Sequence, residues 1–424
     1  MEIEKLYPLY LNHPKICTDT RKVEKGAIFF ALKGDNFNGN QFAEDALEKG
    51  CAYAVIDESE YAKSEKFILV DDVLNTLQGL ATHHRKQFDI PFIGITGSNG
   101  KTTTKELMHA VLSKKFKTHS TKGNLNNHIG VPLTLLSMPK DTEIAIVEMG
   151  ANHVGEIAEL CKISQPNFGV ITNIGKAHLE GFGSYEGVIK AKSELYQFIR
   201  STGGELFVNC DDELLCQLSE GIEKITYGAA ENANCNGKNS SEEHTLSIKL
   251  KEGNIQTRLF GEYNFPNAMA AVCIGQYFGV SNTNMKSALE GHIPSDNRSE
   301  LINKGTNTIV LDAYNANPTS MYLAIENFSK SNAKNVVILG DMLELGKFSI
   351  DEHKAIVSLL KEKKFDKVIL VGKEFSKTCD AEEFLTFPST EEAKNHLNDN
   401  PVRKAQILIK GSRGIKLEEI LEAL

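Results

Sequence analysis

The sequence lacks long apolar runs, paired cysteines, excess positive charge and internal repeats. No apolar run approaches the roughly 18 residues that a membrane-crossing helix needs, so stable membrane insertion is not expected. The first residues, MEIEKLYPLYLNHPK, lack the basic and then apolar stretches of a secretory signal. The eight cysteines fall at positions 17, 51, 161, 210, 216, 235, 273 and 379. No pair makes CxxC and no cluster has zinc spacing. In a chain of 424 residues they read as reduced, mostly buried thiols, which points to the cytoplasm. Lys and Arg number 47 against 56 Asp and Glu, a net charge of −9. That balance disfavours a nucleic-acid partner or an anionic membrane, while leaving room for a local phosphate pocket. A monomer is the default.

What is present is ordinary for a globular enzyme: 41% hydrophobic and 24% charged residues. At roughly 150 residues per domain, the length implies just under three domains. The first ninety residues carry short strand-like runs, Ala27–Leu32 and Ala52–Ile56, between helical stretches. A helix-like run, Leu74–Gln87, ends before Asp89-Ile90-Pro91, where the proline punctuates the chain. From Phe92 the order is strand, glycine loop, helix: Phe92–Thr96, then Lys101–Lys115. Further strand candidates follow at Glu143–Glu148, Phe168–Thr172 and Leu206–Asn209. The polar stretch 228–246 reads as a surface loop. The last third repeats the alternation, with strands expected at Thr308–Asp312, Asn335–Gly340, Lys367–Val371 and Gln406–Lys410.

The expected fold is therefore α/β in three domains. A small α/β domain (1–90) precedes a central ATPase-like domain with a mostly parallel sheet (91–295). A Rossmann-like domain (296–424) follows, its boundary near Pro294.

The strongest local signal is GITGSNGKTTTKE, Gly94 to Glu106, in the strand–loop–helix context of a phosphate loop. Glycines let backbone N–H groups approach phosphate oxygens, and the helix N-terminus adds a favourable dipole. The nucleotide-binding candidates are Gly97, Ser98, Asn99, Gly100, Lys101, Thr102 and Thr103. Lys101 would reach the β- and γ-phosphates, and the Thr102 hydroxyl would sit on Mg²⁺. The spacing is GxxGxxGKT rather than the strict GxxxxGK[ST]. No guanine-reading NKxD is present, which favours ATP. Glu148 ends a strand on the side where α/β ligands bind, and a carboxylate there suits a hard cation.

The variant loop resembles that of the Mur ligase superfamily, the ATP-dependent amide-forming ligases of peptidoglycan precursor synthesis. Folylpolyglutamate synthases share it. Further segments extend the resemblance in order along nearly the whole chain: VEMGANHVGEIAEL (Val147–Leu160), TNIGKAHLEGFGS (Thr172–Ser184), IKAKSELY (Ile189–Tyr196), GEYNFPNAMAA (Gly261–Ala271), LDAYNANPTSM (Leu311–Met321), LGDMLELG (Leu339–Gly346) and IKGSRGIKLEEIL (Ile409–Leu421). The EMGA, YNANP and GDMLELG segments resemble the branch that adds D-alanyl-D-alanine to UDP-N-acetylmuramoyl-tripeptide. Alternatives are a diaminopimelate- or lysine-adding ligase and, more distantly, a folylpolyglutamate synthase. The DNPR motif of the diaminopimelate adders is absent, since Ser295-Asp296-Asn297-Arg298 is a different motif and lies too early.

The resemblance also implies roles. Lys101, Glu148, His178 and Lys192 form the catalytic set. Thr102, Glu148, His178 and Lys192 hold two Mg²⁺ ions, with Lys192, in preference to Lys190, carbamoylated. Asn264 and Asn267 lie near the adenine, although Tyr263 stands where the family often has His. Arg298 reaches the phosphates and Asp312 the ribose. Tyr314, Asn315 and Asn317 contact nucleotide or dipeptide. Asn124, Asn126 and Asn127 meet the muramoyl substrate. Thr20, Arg21 and Lys33 mark the uridine-nucleotide face, where Asn38-Gly39-Asn40 replaces a family DGH. The three domains would hold the UDP end, ATP and the dipeptide in turn, and close on their ligands to keep water from an acyl phosphate.

Overall fold

A computed structural model describes residues 2–241, 245–330, 333–379 and 383–424. Three parallel-rich sheets follow one another along the chain. The first comprises β1 (Ile16–Cys17), β2 (Ile28–Phe30), β5 (Tyr53–Ile56) and β6 (Phe67–Leu69), all parallel, in the order β1-β2-β5-β6. A small hairpin, β3 (Lys33–Gly34) with β4 (Phe37–Asn38), stands beside it.

The helix Val73–Arg85 closes this layer and joins it to the next. Asp72 caps it by accepting from the Asn75 backbone N–H at 2.6 Å. The helix begins and ends slightly earlier than the apolar periodicity suggests. At its far end Arg85 donates to the carbonyls of Ser164 (3.0 Å) and Gln165 (2.9 Å) and lies 3.5 Å from the Phe92 ring centroid. A buried guanidinium thus satisfies the carbonyl end of the helix Glu156–Ser164 and ties the first two layers together.

His84, on the same helix, is buried with Tyr7 Oη 3.0 Å from its Nδ1. Burial pushes its pKa down to about 4 from 6.5. Between those values the unfolded chain binds a proton that the folded one refuses. This contribution to stability is therefore complete above about pH 6.5 and is lost as pH falls toward 4, by roughly 3 kcal/mol. Melting temperatures across that window should fall less steeply in His84→Leu than in the parent. An identical slope would refute the assignment.

The second sheet holds β7 (Phe92–Thr96), β8 (Thr118–Ser120), β9 (Ile144–Glu148), β10 (Phe168–Ile171), β11 (Glu205–Asn209), β12 (Lys224–Gly228) and β13 (Cys235–Asn236). Their order is β13-β12-β11-β10-β7-β9-β8 and every pairing is parallel. Order reverses beside β7, so the carboxyl ends of β7, β9 and β10 open a crevice. The helix Phe265–Tyr277 backs this sheet and is buried along nearly its whole length.

The reading of 228–246 as a loop is corrected here. Cys235–Asn236 add the sheet's seventh strand, and Cys235 is buried. Next comes an antiparallel sheet of β14 (Lys238–Asn239), β15 (Thr245–Leu250) and β16 (Gly253–Phe260). The two strands wholly within that polar stretch, β13 and β14, are two residues long, too short to show an alternating pattern. Residues 242–244 of the stretch lie outside the described residues.

An irregular segment, 292–299, leads to the third sheet: β17 (Glu300–Lys304), β18 (Asn307–Asp312), β19 (Asn335–Gly340), β20 (Lys367–Val371), β21 (Leu385–Phe387) and β22 (Gln406–Lys410). Its order is β17-β18-β22-β19-β20-β21, parallel except for the β17–β18 edge pair. The strands expected at the apolar runs form, because Val, Ile and Leu runs of five or six residues are buried on both faces. Among the described residues no helix is long and apolar enough to cross a membrane.

Candidate functional site

β7 delivers the chain into a tight loop. Gly97 (φ +143°) and Gly100 (φ +76°) take conformations that L side chains rarely adopt. A Cβ on Gly97 would sit 2.0 Å from Thr172 Oγ1, and one on Gly100 2.6 Å from Asn267 Oδ1. The segment after β10 clamps the loop. The Ser98 N–H donates to the Asn173 carbonyl (3.0 Å) and the Asn99 N–H to Asn173 Oδ1 (3.1 Å). The helix Lys101–Leu112 then begins with its N–H groups open toward the crevice. Lys101 Nζ donates back to the carbonyls of Gly97 (2.6 Å) and Ser98 (3.3 Å). Burial lowers its pKa, and the Glu148 carboxylate opposes that shift.

Glu148 ends β9 and is 1% exposed. Register sets it beside Ile95 on β7, one residue from the loop strand's end. Its Oε1 accepts from Thr102 Oγ1 (3.2 Å) and Asn126 Nδ2 (2.8 Å). Among the described residues its Oε2 has no hydrogen-bond partner. Lys105, 3% exposed, is the nearest cation, with Nζ 3.9 Å from that oxygen. A buried carboxylate with one open oxygen, next to a threonine hydroxyl and a phosphate loop, fits a hard divalent cation. Among the described residues no three His, Cys, Asp or Glu side chains group into a metal cage.

His178 lies across the crevice, preceding the short helix Leu179–Phe182, and its Nδ1 contacts Glu344 Oε2 from the third sheet's side. Lys192 stands behind the cleft wall on the helix Tyr185–Thr202. It is 1% exposed, with Nζ 5.2 Å from the Phe182 ring centroid. Burial, helped by Lys101, pushes its pKa down to about 7.

The opposite wall comes from the third sheet. Asp312 ends β18 and pairs with Lys410 at the end of β22, Nζ to Oδ2 2.6 Å, as their parallel register requires. Arg298 stacks over Tyr314, its guanidinium carbon 3.6 Å from the ring centroid. Asn317 caps the helix Pro318–Phe328 and spans the crevice, donating to Asn99 Oδ1 at 2.7 Å. Asn264 and Asn267, both buried, hydrogen-bond each other at 2.9 Å beneath the phosphate loop.

These groups surround one cleft of about 580 Å³. The loop residues Ser98–Thr103 line it, as do Asn124, Asn126, Asn127, Glu148 and His178. So do Asn264, Asn267, Arg298, Asp312, Tyr314, Asn315 and Asn317. Asn127 is also tied up locally, accepting from the Ile129 and Gly130 N–H groups.

Thr20, Arg21 and Lys33 are not among the residues lining this cleft. Arg21 pairs with Asp19 (2.8 Å), and Lys33 bridges Asp57 and Glu58 (2.8 Å each). Sequence reasoning passed over Lys105, Glu344 and Lys410. Lys410 sits at a strand's carboxyl end inside the quoted IKGSRG segment, which was the available signal. For Lys105 the signal was only its place one turn after Lys101.

A crevice at the reversal point of a parallel sheet, with a phosphate loop on one side and a second α/β layer on the other, defines a nucleotide-dependent enzyme class. Family comparison narrows it. "Mur ligase middle domain" matches residues 95–275, "Mur ligase, glutamate ligase domain" residues 297–413, and "Mur ligase family, catalytic domain" residues 15–85. The chain belongs to the Mur ligase family. It is 38% identical to the UDP-N-acetylmuramoyl-tripeptide–D-alanyl-D-alanine ligase of Bacillus subtilis (strain 168), over 96% of this chain and 92% of that one. It superposes on a crystal structure of MurF from Acinetobacter baumannii with a TM-score of 0.86 at 32% identity, covering 96% and 92% of the two chains. MurF ligase from Thermotoga maritima in complex with ADP gives 0.85 at 27% identity, covering 97% of each.

Proposed function

We infer that this chain is an ATP-dependent ligase joining D-alanyl-D-alanine to UDP-N-acetylmuramoyl-tripeptide, a step of peptidoglycan precursor synthesis. The observation that carries the chemistry is the convergence of three elements on one cleft: the phosphate loop, the buried open Glu148 carboxylate and the Arg298–Asp312 wall. Amide formation from a carboxylate needs a leaving group. The tripeptide carboxylate attacks the γ-phosphorus of ATP, ADP departs, and the dipeptide amine then attacks the acyl carbon and expels phosphate. The residues' task is positioning and charge compensation.

In this reading the Gly100–Thr103 amides cradle the phosphates, with Ser98 and Asn99 lining the loop beside them. Lys101 leaves its carbonyl contacts to meet the transferring phosphoryl group, and Arg298 meets it from the opposite wall. Asn264 and Asn267 border the base, and Asp312 faces the ribose, its orientation set by Lys410. Glu148, Thr102, His178 and Lys192 would hold Mg²⁺, which supplies Lewis-acid stabilisation of the phosphoryl oxygens. Asn124, Asn126 and Asn127 would meet the muramoyl part. Tyr314, Asn315 and Asn317 would meet dipeptide or nucleotide, and Thr20, Arg21 and Lys33 the uridine nucleotide. The segments 1–90, 91–295 and 296–424 would serve UDP-substrate, ATP and dipeptide in turn, within a cytoplasmic monomer.

The test is phosphate release from ATP and Mg²⁺ with UDP-N-acetylmuramoyl-tripeptide, with and without D-alanyl-D-alanine. Release that depends on the dipeptide, with a product heavier by one dipeptide less water, is expected. Release indifferent to the dipeptide would refute the assignment.

Lys192 carries a separate expectation. An amine with a pKa near 7 is largely uncharged at mildly alkaline pH and can attack CO₂. Carbamoylation would turn a cation into an anionic oxygen ligand. Protein stripped of CO₂ should lose activity about tenfold or more and regain it with bicarbonate. Lys192→Gln should lose both the activity and the rescue. Activity unaffected by CO₂ removal would argue against the modification.

A further inference from the structure

His178 is gripped from the far side of the cleft. Its φ is +50° and that of Glu344 is +62°, left-handed conformations that non-glycine residues hold only when the surroundings enforce them. Glu344 Oε2 is in direct contact with His178 Nδ1. The backbone repeats the contact: the Glu180 N–H donates to the Glu344 carbonyl at 3.1 Å. The Glu344 loop is itself anchored within the third sheet's layer. The Leu343 N–H donates to Ser412 Oγ (2.9 Å) and the Met342 N–H to His353 Nε2 (3.1 Å).

A carboxylate oxygen in direct contact with a ring nitrogen repels a lone pair there, so the contact favours the ring proton on Nδ1. In the neutral ring Nε2 is then left with the free lone pair. Metal-bound histidines are commonly oriented in this way by a carboxylate on the other ring nitrogen. Here the carboxylate comes from a different sheet than the histidine.

We propose that Glu344 is a positioning residue that fixes His178 in its ligating tautomer. Because Glu344 arrives only when the third sheet's layer is docked, divalent-cation binding and domain docking become one event. This rests on the reading of His178 as a metal ligand.

The experiment uses the full chain, Mn²⁺ as the metal probe and a non-hydrolysable ATP analogue, with bound Mn²⁺ read by electron paramagnetic resonance. Glu344→Ala should weaken Mn²⁺ binding by about 10- to 100-fold. Analogue affinity measured in a chelator should stay within about twofold. Glu344→Gln, whose amide oxygen can take the same place beside Nδ1, should recover most of the Mn²⁺ affinity. Equal losses of analogue binding with and without metal would show a merely structural role and overturn the proposal. His178→Ala separates the two levels of inference. If it weakens Mn²⁺ binding while Glu344→Ala does not, the proposal falls and the ligand reading stands. If it leaves Mn²⁺ binding unchanged, the ligand reading falls and takes the proposal with it. Should Glu344→Ala fail to fold, ¹⁵N spectra of the parent's histidine rings decide, with His178 assigned by its loss in His178→Ala. A ring protonated on Nδ1 is expected, and one protonated only on Nε2 overturns the proposal.

Discussion

Lys101→Met should lower turnover by about 10³-fold with little change in melting temperature. In the described arrangement the ammonium bonds only to the carbonyls of Gly97 and Ser98, and burial already disfavours its charge. Methionine fills similar space without a charge to desolvate. The loss therefore falls on the reaction, where a fixed cation offsets charge on the transferring phosphoryl group. Phosphate release and circular-dichroism melts on the same preparations test this. Turnover within tenfold of the parent would remove Lys101 from the catalytic set.

Glu148→Gln should act on both activity and stability. Turnover should fall by roughly 10³-fold, since the replacement loses the anionic oxygen that faces the loop. Stability should fall as well, by up to roughly 3 kcal/mol, because Lys105 is left buried with only Glu106, itself 3.9 Å away, as a nearby anion. The double variant Glu148→Gln/Lys105→Met should regain most of that stability and none of the activity. A double-mutant cycle in chemical denaturation reads the coupling. Strict additivity would show that Lys105 and Glu148 do not sense each other.

Much of this site was legible because its constraints are local. Gly97 and Gly100 announce a loop that only glycine can make, and a five-residue strand, four apolar residues ending in Glu148, places a carboxylate at a crevice. The order of apolar runs gave the parallel layers, since strands buried on both faces leave continuous apolar stretches. What stayed hidden depends on partners far along the chain. Lys105 looks like a solvated helix residue until β9 packs against it. Glu344 is an ordinary loop glutamate until its layer docks on His178. Lys410 becomes significant only when β22 is laid beside β18, opposite Asp312. The strands of 235–239 are too short for their pattern to stand out from a polar loop. The first domain's Lys33 is held by Asp57 and Glu58, some twenty-five residues distant, a pairing that no spacing rule signals.

The third sheet's strand order bears on how the protein is made. β22, the last of its strands to leave the ribosome, lies between β18 and β19. Until Gln406–Lys410 emerge, those two strands have no mutual hydrogen bonds and each presents an unpaired parallel edge. The first two sheets draw their strands from residues that precede β17, so they can assemble during synthesis. The third must wait for its keystone, and a chain interrupted shortly before residue 406 would carry two finished layers and one open, aggregation-prone half-sheet. Lys410 sits on that same strand, so the wall facing the nucleotide is completed only when the whole layer has closed.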